Sequence, residues 1–345
     1  MKKILPLILL LAITVGAFAG CGSKTQDTES SSTGVVSGAD QAEDRQVDDK
    51  SGGTEAAKED NGFPMTVKDA RGTEMTIAKK PEKIVSLTLG TDEMLFRLVD
   101  ESRIKGITFL SEDPGLSNIV DIAKEFPVKL NNEVEKIISL QPDIVFAADW
   151  ADEKVIKQLQ DAKINVYAYK TPNGIEDQKK TVMEIARLVG EQKKGEELVK
   201  WMEDELKKVE EKMGNLADNQ KLTALSLDSF FYTYGKNTTF DDIAGRAGLV
   251  NLASKESIEG WQQLSKEKVV EMNPDVIFLP SWSYEGFDAK EFAEEFKSDR
   301  ALAEVSAVKN NRVLMLSEAH MTSVSHNIVL GVEDAAKAVY PELFK

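Results

Sequence analysis

The sequence predicts an α/β protein of two similar lobes with parallel-rich sheets, joined by one long α-helix and facing each other across a cleft. Three observations carry this. Short apolar strands alternate with helical segments, and such strands need helices over both sheet faces. One charged segment is long enough to be a single connecting helix. A phrase also occurs twice: EKIISLQPDIVFAADW at 135–150 returns as EKVVEMNPDVIFLPSW at 267–282. Six of its sixteen positions are identical, where composition alone gives about one.

The elements follow in order. MTVKDARGTEMTIA predicts a hairpin around the Asp69–Gly72 turn. KIVSL, IKGITFL, DIVFAA and INVYAY read as strands, and TDEMLFRLV, EKIISL and ADEKVIKQLQDA as the helices between them. Thr91 is the expected N-cap of the first helix, with Asp92 and Glu93 favoured in its first turn by the helix dipole. A helical stretch from Ile175 breaks at Gly190. In the segment after it Leu198, Met202, Leu206, Val209 and Met213 form one apolar stripe. About 22 residues of helix span roughly 33 Å, the width of a small lobe.

The first pattern then restarts. KLTALSLDS, PDVIFLPSW and RVLMLSE read as strands; FDDIAGRAG, SKEKVVEM, AKEFAEEFK and VEDAAKAVY read as helices. Pro142 and Pro274 stop the helix inside each copy of the phrase. Each copy ends in a tryptophan, Trp150 or Trp282, at the carboxyl end of a strand, where ligands of open α/β sheets bind. Both tryptophans are therefore cleft candidates, the alternative being that each caps a hydrophobic core.

The ends of the chain differ from this body. Residues 1–21 carry Lys2 and Lys3, an apolar run from Ile4 to Ala17, then small residues, the layout of an export signal. The run is short for a membrane span. It ends in FAGC, and Cys21 is the only cysteine in 345 residues. This resembles the bacterial lipobox, which implies cleavage before Cys21, a lipid on its thiol, and an extracytoplasmic protein anchored to the cell membrane. Residues 22–61 hold ten acids, four bases and no aromatic residue, the composition of a disordered acidic tether reaching on the order of 35 Å. The domain organisation expected is a signal at 1–21, tether at 22–61, first lobe at 62–190, connecting helix at 191–214 and second lobe at 215–345.

The chain carries a net charge of −16. Nucleic acid, which needs a basic footprint, is disfavoured as a partner. No GxSxG, no HExxH and no metal-spaced Cys/His set occurs, so an enzyme is not expected. Candidate ligand residues on loops after strands are Trp150, Tyr232, Tyr234, Trp282 and Tyr284. SFFYTYGKN also reads as a strand continuing with alternating faces. His320 and His326, the only histidines, lie close together in EAHMTSVSHN. His320 is a ligand-binding candidate, and both are metal candidates, against the plainer reading of a polar loop.

The order of signal, tether, lobe, single helix and lobe, with KIVSLTLGTDEMLF and WQQLSKEKVVEMNPDVIF, resembles the class III solute-binding proteins of bacterial ABC importers. The resemblance implies two Rossmann-like lobes of limited hinge motion. It further implies a monomer that takes ferric siderophores, haem or cobalamin, an iron or cobalt chelate carried as ligand with no intrinsic cofactor. The cargo would pass to a permease dimer with its ATPase. It also implies an exposed docking glutamate on each lobe, at Glu93 and at Glu267 of WQQLSKE, with Glu135 only the internal counterpart of Glu267. Arg246, Arg300 and Arg312, the second lobe's arginines, are dispersed, which disfavours a catecholate and suits a more neutral, ring-rich chelate: a hydroxamate-type siderophore foremost, with haem or a corrinoid as the alternative. A lipoprotein that senses ligand for a signalling partner is the alternative class.

Overall fold

The computed structural model describes residues 62–214 and 216–345. The expected export signal and tether, with Cys21, lie outside the described residues. The first lobe opens with the antiparallel hairpin β1 (Met65–Lys68) and β2 (Glu74–Ile77). Then come β3 (Ile84–Ser86), α1 (Leu89–Leu98), β4 (Ile104–Thr108), α2 (Val120–Glu125), β5 (Lys129–Leu130), α3 (Val134–Ser139), β6 (Ile144–Ala148), α4 (Glu153–Asp161), β7 (Val166–Tyr169) and α5 (Ile175–Leu188). The strands form one parallel sheet in the order β5-β4-β3-β6-β7. Every residue of β6 and β7 is buried, as expected of strands covered on both faces.

A single 22-residue helix, α6 (Gln192–Met213), leads to the second lobe. Its stripe of Leu198, Met202, Leu206, Val209 and Met213 is buried, and it belongs to one apolar core that continues into both lobes. The second lobe comprises β8 (Thr223–Ser226), β9 (Tyr232–Tyr234), α7 (Thr239–Arg246), β10 (Val250–Asn251), α8 (Leu252–Lys255), β11 (Trp261–Gln263), α9 (Lys266–Met272) and β12 (Val276–Leu279). It finishes with α10 (Ala289–Ser298), α11 (Ser306–Lys309), β13 (Val313–Met315), α12 (Glu318–Met321) and α13 (Ile328–Val339). Its parallel sheet has the order β10-β8-β12-β13. The expected class of two α/β lobes with a long helix is what the chain adopts.

The duplicated phrase has a duplicated job. In each copy the helix ends in a left-handed residue, Gln141 or Asn273, directly before the proline. The aspartate after that proline then clips the start of the lobe's first strand. Asp143 Oδ2 accepts from the backbone N–H groups of Glu82 and Lys83 at 2.8 and 2.9 Å. Asp275 Oδ2 accepts from Thr223 N at 2.9 Å and its hydroxyl at 2.7 Å.

Two local readings need correction. Thr88, not Thr91, is the N-cap of α1; its hydroxyl accepts from Thr91 N, so the helix starts a turn earlier. SFFYTYGKN does not continue its strand: Phe231 turns at φ +63°, and Tyr232–Tyr234 form a separate strand antiparallel to β11.

Candidate functional site

Both sheets reverse their strand order beside their first strand, β3 in one lobe and β8 in the other, and the crevice at such a switch point is where ligands enter. In the first lobe a pocket of about 230 Å³ opens there, lined by Thr88 after β3, Phe109 after β4 and Trp150 and Asp152 after β6. Trp150 is 73% exposed and so is not a core cap. In the second lobe a smaller pocket of about 70 Å³ lies between Asp228 after β8, Pro280 after β12 and Glu318 after β13, with Tyr234 and Thr239 on its wall. Between the lobes a cavity of about 690 Å³ brings Thr171, Pro172 and Asn173 of the first opposite Tyr234, Trp261, Thr322 and Val324 of the second.

Tyr234 lines both of the latter spaces. Burial pushes its phenol up to about 12, with the charges of Asp228 and Glu318 adding to the shift. Trp261 sits across the β9/β11 pair from Tyr234, edge to face at 5.9 Å and 73% exposed. Sequence reasoning missed it as a cleft residue. The signal was present, because Trp261 opens the WQQLSKE motif.

Trp282 crosses the gap. Its indole N–H donates to Asp113 Oδ2 in the first lobe at 2.9 Å, and its ring lies so close to Gly115 that a Cβ there would come within 2.4 Å. Tyr284 packs on Trp282 at 5.0 Å and is half-exposed. Tyr232 is exposed at the amino end of β9 and lines none of the three spaces.

The histidines part company. His320 Nδ1 lies 2.6 Å from Asp334 of α13. His326 is buried against Trp201 of α6, ring edge to face at 5.5 Å, and burial, helped by Arg97, depresses its imidazole to about 3. Reading His326 as an accessible metal ligand is thus corrected: it is a neutral core residue. Among the described residues no group of three or more His, Cys, Asp or Glu is placed to hold a metal ion.

Glu93 is corrected too. It is 2% exposed, so it presents no docking surface. Its Oε1 accepts from Asn118 N at 2.8 Å and Asn118 Nδ2 at 3.0 Å; its Oε2 accepts from Asn327 Nδ2 at 2.9 Å and from the Ser325 hydroxyl. Four donors from two lobes converge on one carboxylate. A second tie lies nearby: Asp242 of α7 accepts from Ile175 N at the start of α5 at 2.7 Å. Glu267, by contrast, is exposed in the first turn of α9, and so is Glu135 in the first turn of α3.

A family model for periplasmic binding protein matches residues 84–319. The chain belongs to the periplasmic binding protein family. Among its relatives, the ABC transporter substrate-binding lipoprotein YvrC of Bacillus subtilis is 32% identical over 289 residues, covering 82% of this chain and 88% of that one. The iron-uptake system-binding protein of the same organism is 25% identical, covering 92% of each chain. The molybdate periplasmic binding protein MolA of Haemophilus influenzae superposes with a TM-score of 0.66 at 24% identity, over 81% of this chain and 92% of that one. As a periplasmic binding protein related over most of its length to an ABC transporter substrate-binding lipoprotein, this chain is a transport component rather than an enzyme.

Proposed function

We propose that this periplasmic binding protein captures an iron or cobalt chelate, foremost a hydroxamate-like ferric siderophore, and delivers it to an ABC permease dimer while lipid on Cys21 holds it at the membrane. The observation that carries this reading is the cavity of about 690 Å³ between the lobes, with Tyr234 and Trp261 on one wall. Its volume falls in the range of small-molecule sites, and two aromatic side chains among uncharged Thr and Asn residues suit an uncharged, ring-rich cargo. The iron-uptake relative supports iron, and haem or a corrinoid is the alternative cargo of similar shape. Docking falls to the exposed pair Glu135 and Glu267, each the second residue of its helix in the two copies of the phrase. Exposed carboxylates at fixed separation suit bidentate capture by arginines of a permease.

Titrating the purified protein with ferric hydroxamates, haem and cobalamin, followed by tryptophan fluorescence and the ligand's visible band, tests the cargo. Quenching at micromolar ligand is expected for one class; no response to any would refute the chelate reading. Reversing Glu135 and Glu267 to Lys together should abolish uptake in cells and leave binding intact. Normal uptake by that double variant would refute the docking pair.

A further inference from the structure

We propose that the second lobe's strand-end pocket is the seat for an ammonium group on the chelate, received by Glu318 with Asp228 and Tyr234 beside it, so that the receptor selects cationic chelates over anionic ones. The inference rests on the chelate reading above and names the charge class of the cargo.

Two carboxylates make the contrast, Glu93 buried and Glu318 partly buried. Glu93 has both oxygens occupied by close donors. Glu318 is partly buried, and what burial it has pushes its carboxyl up, yet it is poorly served. Its Oε2 accepts only from Ser281 N, at 3.3 Å, and Oε1 accepts from no group among the described residues. That oxygen is free to take a charged donor, and a carboxylate accepts most strongly from a cation. It lines a pocket that shares Tyr234, Thr239 and Thr322 as wall residues with the cavity between the lobes.

The rest of the wall agrees in sign. Asp228 Oδ1 is taken up by Phe230 N and Tyr232 N, both at 2.8 Å, which leaves Oδ2 for another partner. Tyr234 and Phe240 add aromatic surface, against which a cation is favourable. Among the described residues no lysine or arginine lines this pocket, the cavity between the lobes or the first lobe's pocket. Of the lysines adjacent in sequence to lining residues, Lys154, Lys170 and Lys236 are exposed and Lys129 is paired with Glu112. The amino end of α7 offers no anion site in compensation, because the Thr238 hydroxyl accepts from Asp241 N and Asp241 and Asp242 stand in its first turn. A tris-catecholate or an oxyanion entering this cleft would meet carboxylates with no counter-charge. An ammonium is small enough for a pocket of about 70 Å³, which would hold roughly two waters at their liquid share.

The experiment uses four probes: a ferric trihydroxamate carrying one free primary ammonium, the same chelate with that amine acetylated, a ferric tris-catecholate, and molybdate. Calorimetric titration of the wild type should rank the ammonium form about tenfold or more tighter than the acetylated form, a difference of about 1.4 kcal/mol, and detect neither anion. Raising the salt should erode that preference. Glu318→Gln, which keeps the shape and removes the charge, should bring the ratio of the two affinities close to one, with thermal melting confirming that the variant folds. Equal affinity for the two forms, or tighter binding of either anion, overturns the inference and leaves the chelate reading standing wherever a chelate binds. Failure of all three chelates overturns both.

Discussion

Glu93 of α1 receives a hydrogen bond from Asn327, 234 residues further along the chain, at 2.9 Å, and with it the first lobe is tied to the amino end of the last helix. Removing the carboxylate strands donors rather than merely deleting a contact. Glu93→Ala leaves Asn118, Ser325 and Asn327 without their acceptor and should cost about 3 kcal/mol or more; Glu93→Gln, which turns an amide N–H₂ toward a donor, should cost about 1–3 kcal/mol. Urea unfolding of both variants checks this, and a loss for Glu93→Ala below about 1 kcal/mol would mean the tie is not structural.

Two buried groups should oppose each other in pH. Burial raises Asp92 of α1 to about 7, outweighing hydrogen bonds from Ser86, Thr108 and Ser111. Between roughly pH 4 and 7 the folded state therefore holds a proton that the unfolded state has lost, and stability falls as pH rises. His326, depressed to about 3, works the other way: from about pH 6.5 down to 3 the unfolded state takes up a proton that the folded state refuses, so stability falls as pH drops. Over about pH 4 to 6.5 the two slopes offset each other. Chemical denaturation across that window should give a shallow profile for the wild type, one rising with pH for Asp92→Asn and one falling with pH for His326→Phe. Parallel profiles for all three would refute the account.

The paired clips at Asp143 and Asp275 should be energetically alike. Substituting either by Ala leaves two donors at the start of a lobe's first strand unpaired and should lose about 1–3 kcal/mol. Amide hydrogen exchange should show the loss confined to β3 in one variant and to β8 in the other, and a uniform increase in exchange would count against lobe-specific clips.

Trp282 reports on a contact between the lobes. Gly115→Ala puts a methyl where a Cβ would lie 2.4 Å from the indole, so the ring must lift away from Asp113. With Trp150, Trp201 and Trp261 changed to Phe, Trp282 becomes the sole tryptophan of the four in the chain. Its fluorescence should then be quenched by acrylamide more readily in Gly115→Ala than in the Gly115 parent. Equal quenching would show that the contact does not hold the ring.

Much of the architecture was legible because burial on both faces forces apolar runs on the parallel strands, and those runs, as in DIVFAA and PDVIFLPSW, are visible without coordinates. The connecting helix was legible because its buried stripe repeats with helical spacing. What escaped was whatever depends on distant partners. An acid in a first helical turn is ordinarily exposed, and nothing within α1 announces that Ser325 and Asn327 will cover Glu93. His326 sits in a polar stretch, and only its packing on Trp201 makes it a core residue. The β9/β11 pair joins two three-residue strands 26 residues apart, too short for a periodic signal. Trp261 was for the same reason not seen as a neighbour of Tyr234.

The shared carboxylate at Glu93, the Asp242 tie and the single α6 leave little freedom for the lobes to swing. Such a receptor behaves as a gauge of fixed bore rather than a trap. On the proposed docking, the pair Glu135 and Glu267 would keep the same spacing whether the gauge is loaded or empty. A permease gripping that pair would receive no geometric notice of cargo, and an empty receptor would compete with a full one for the same dock.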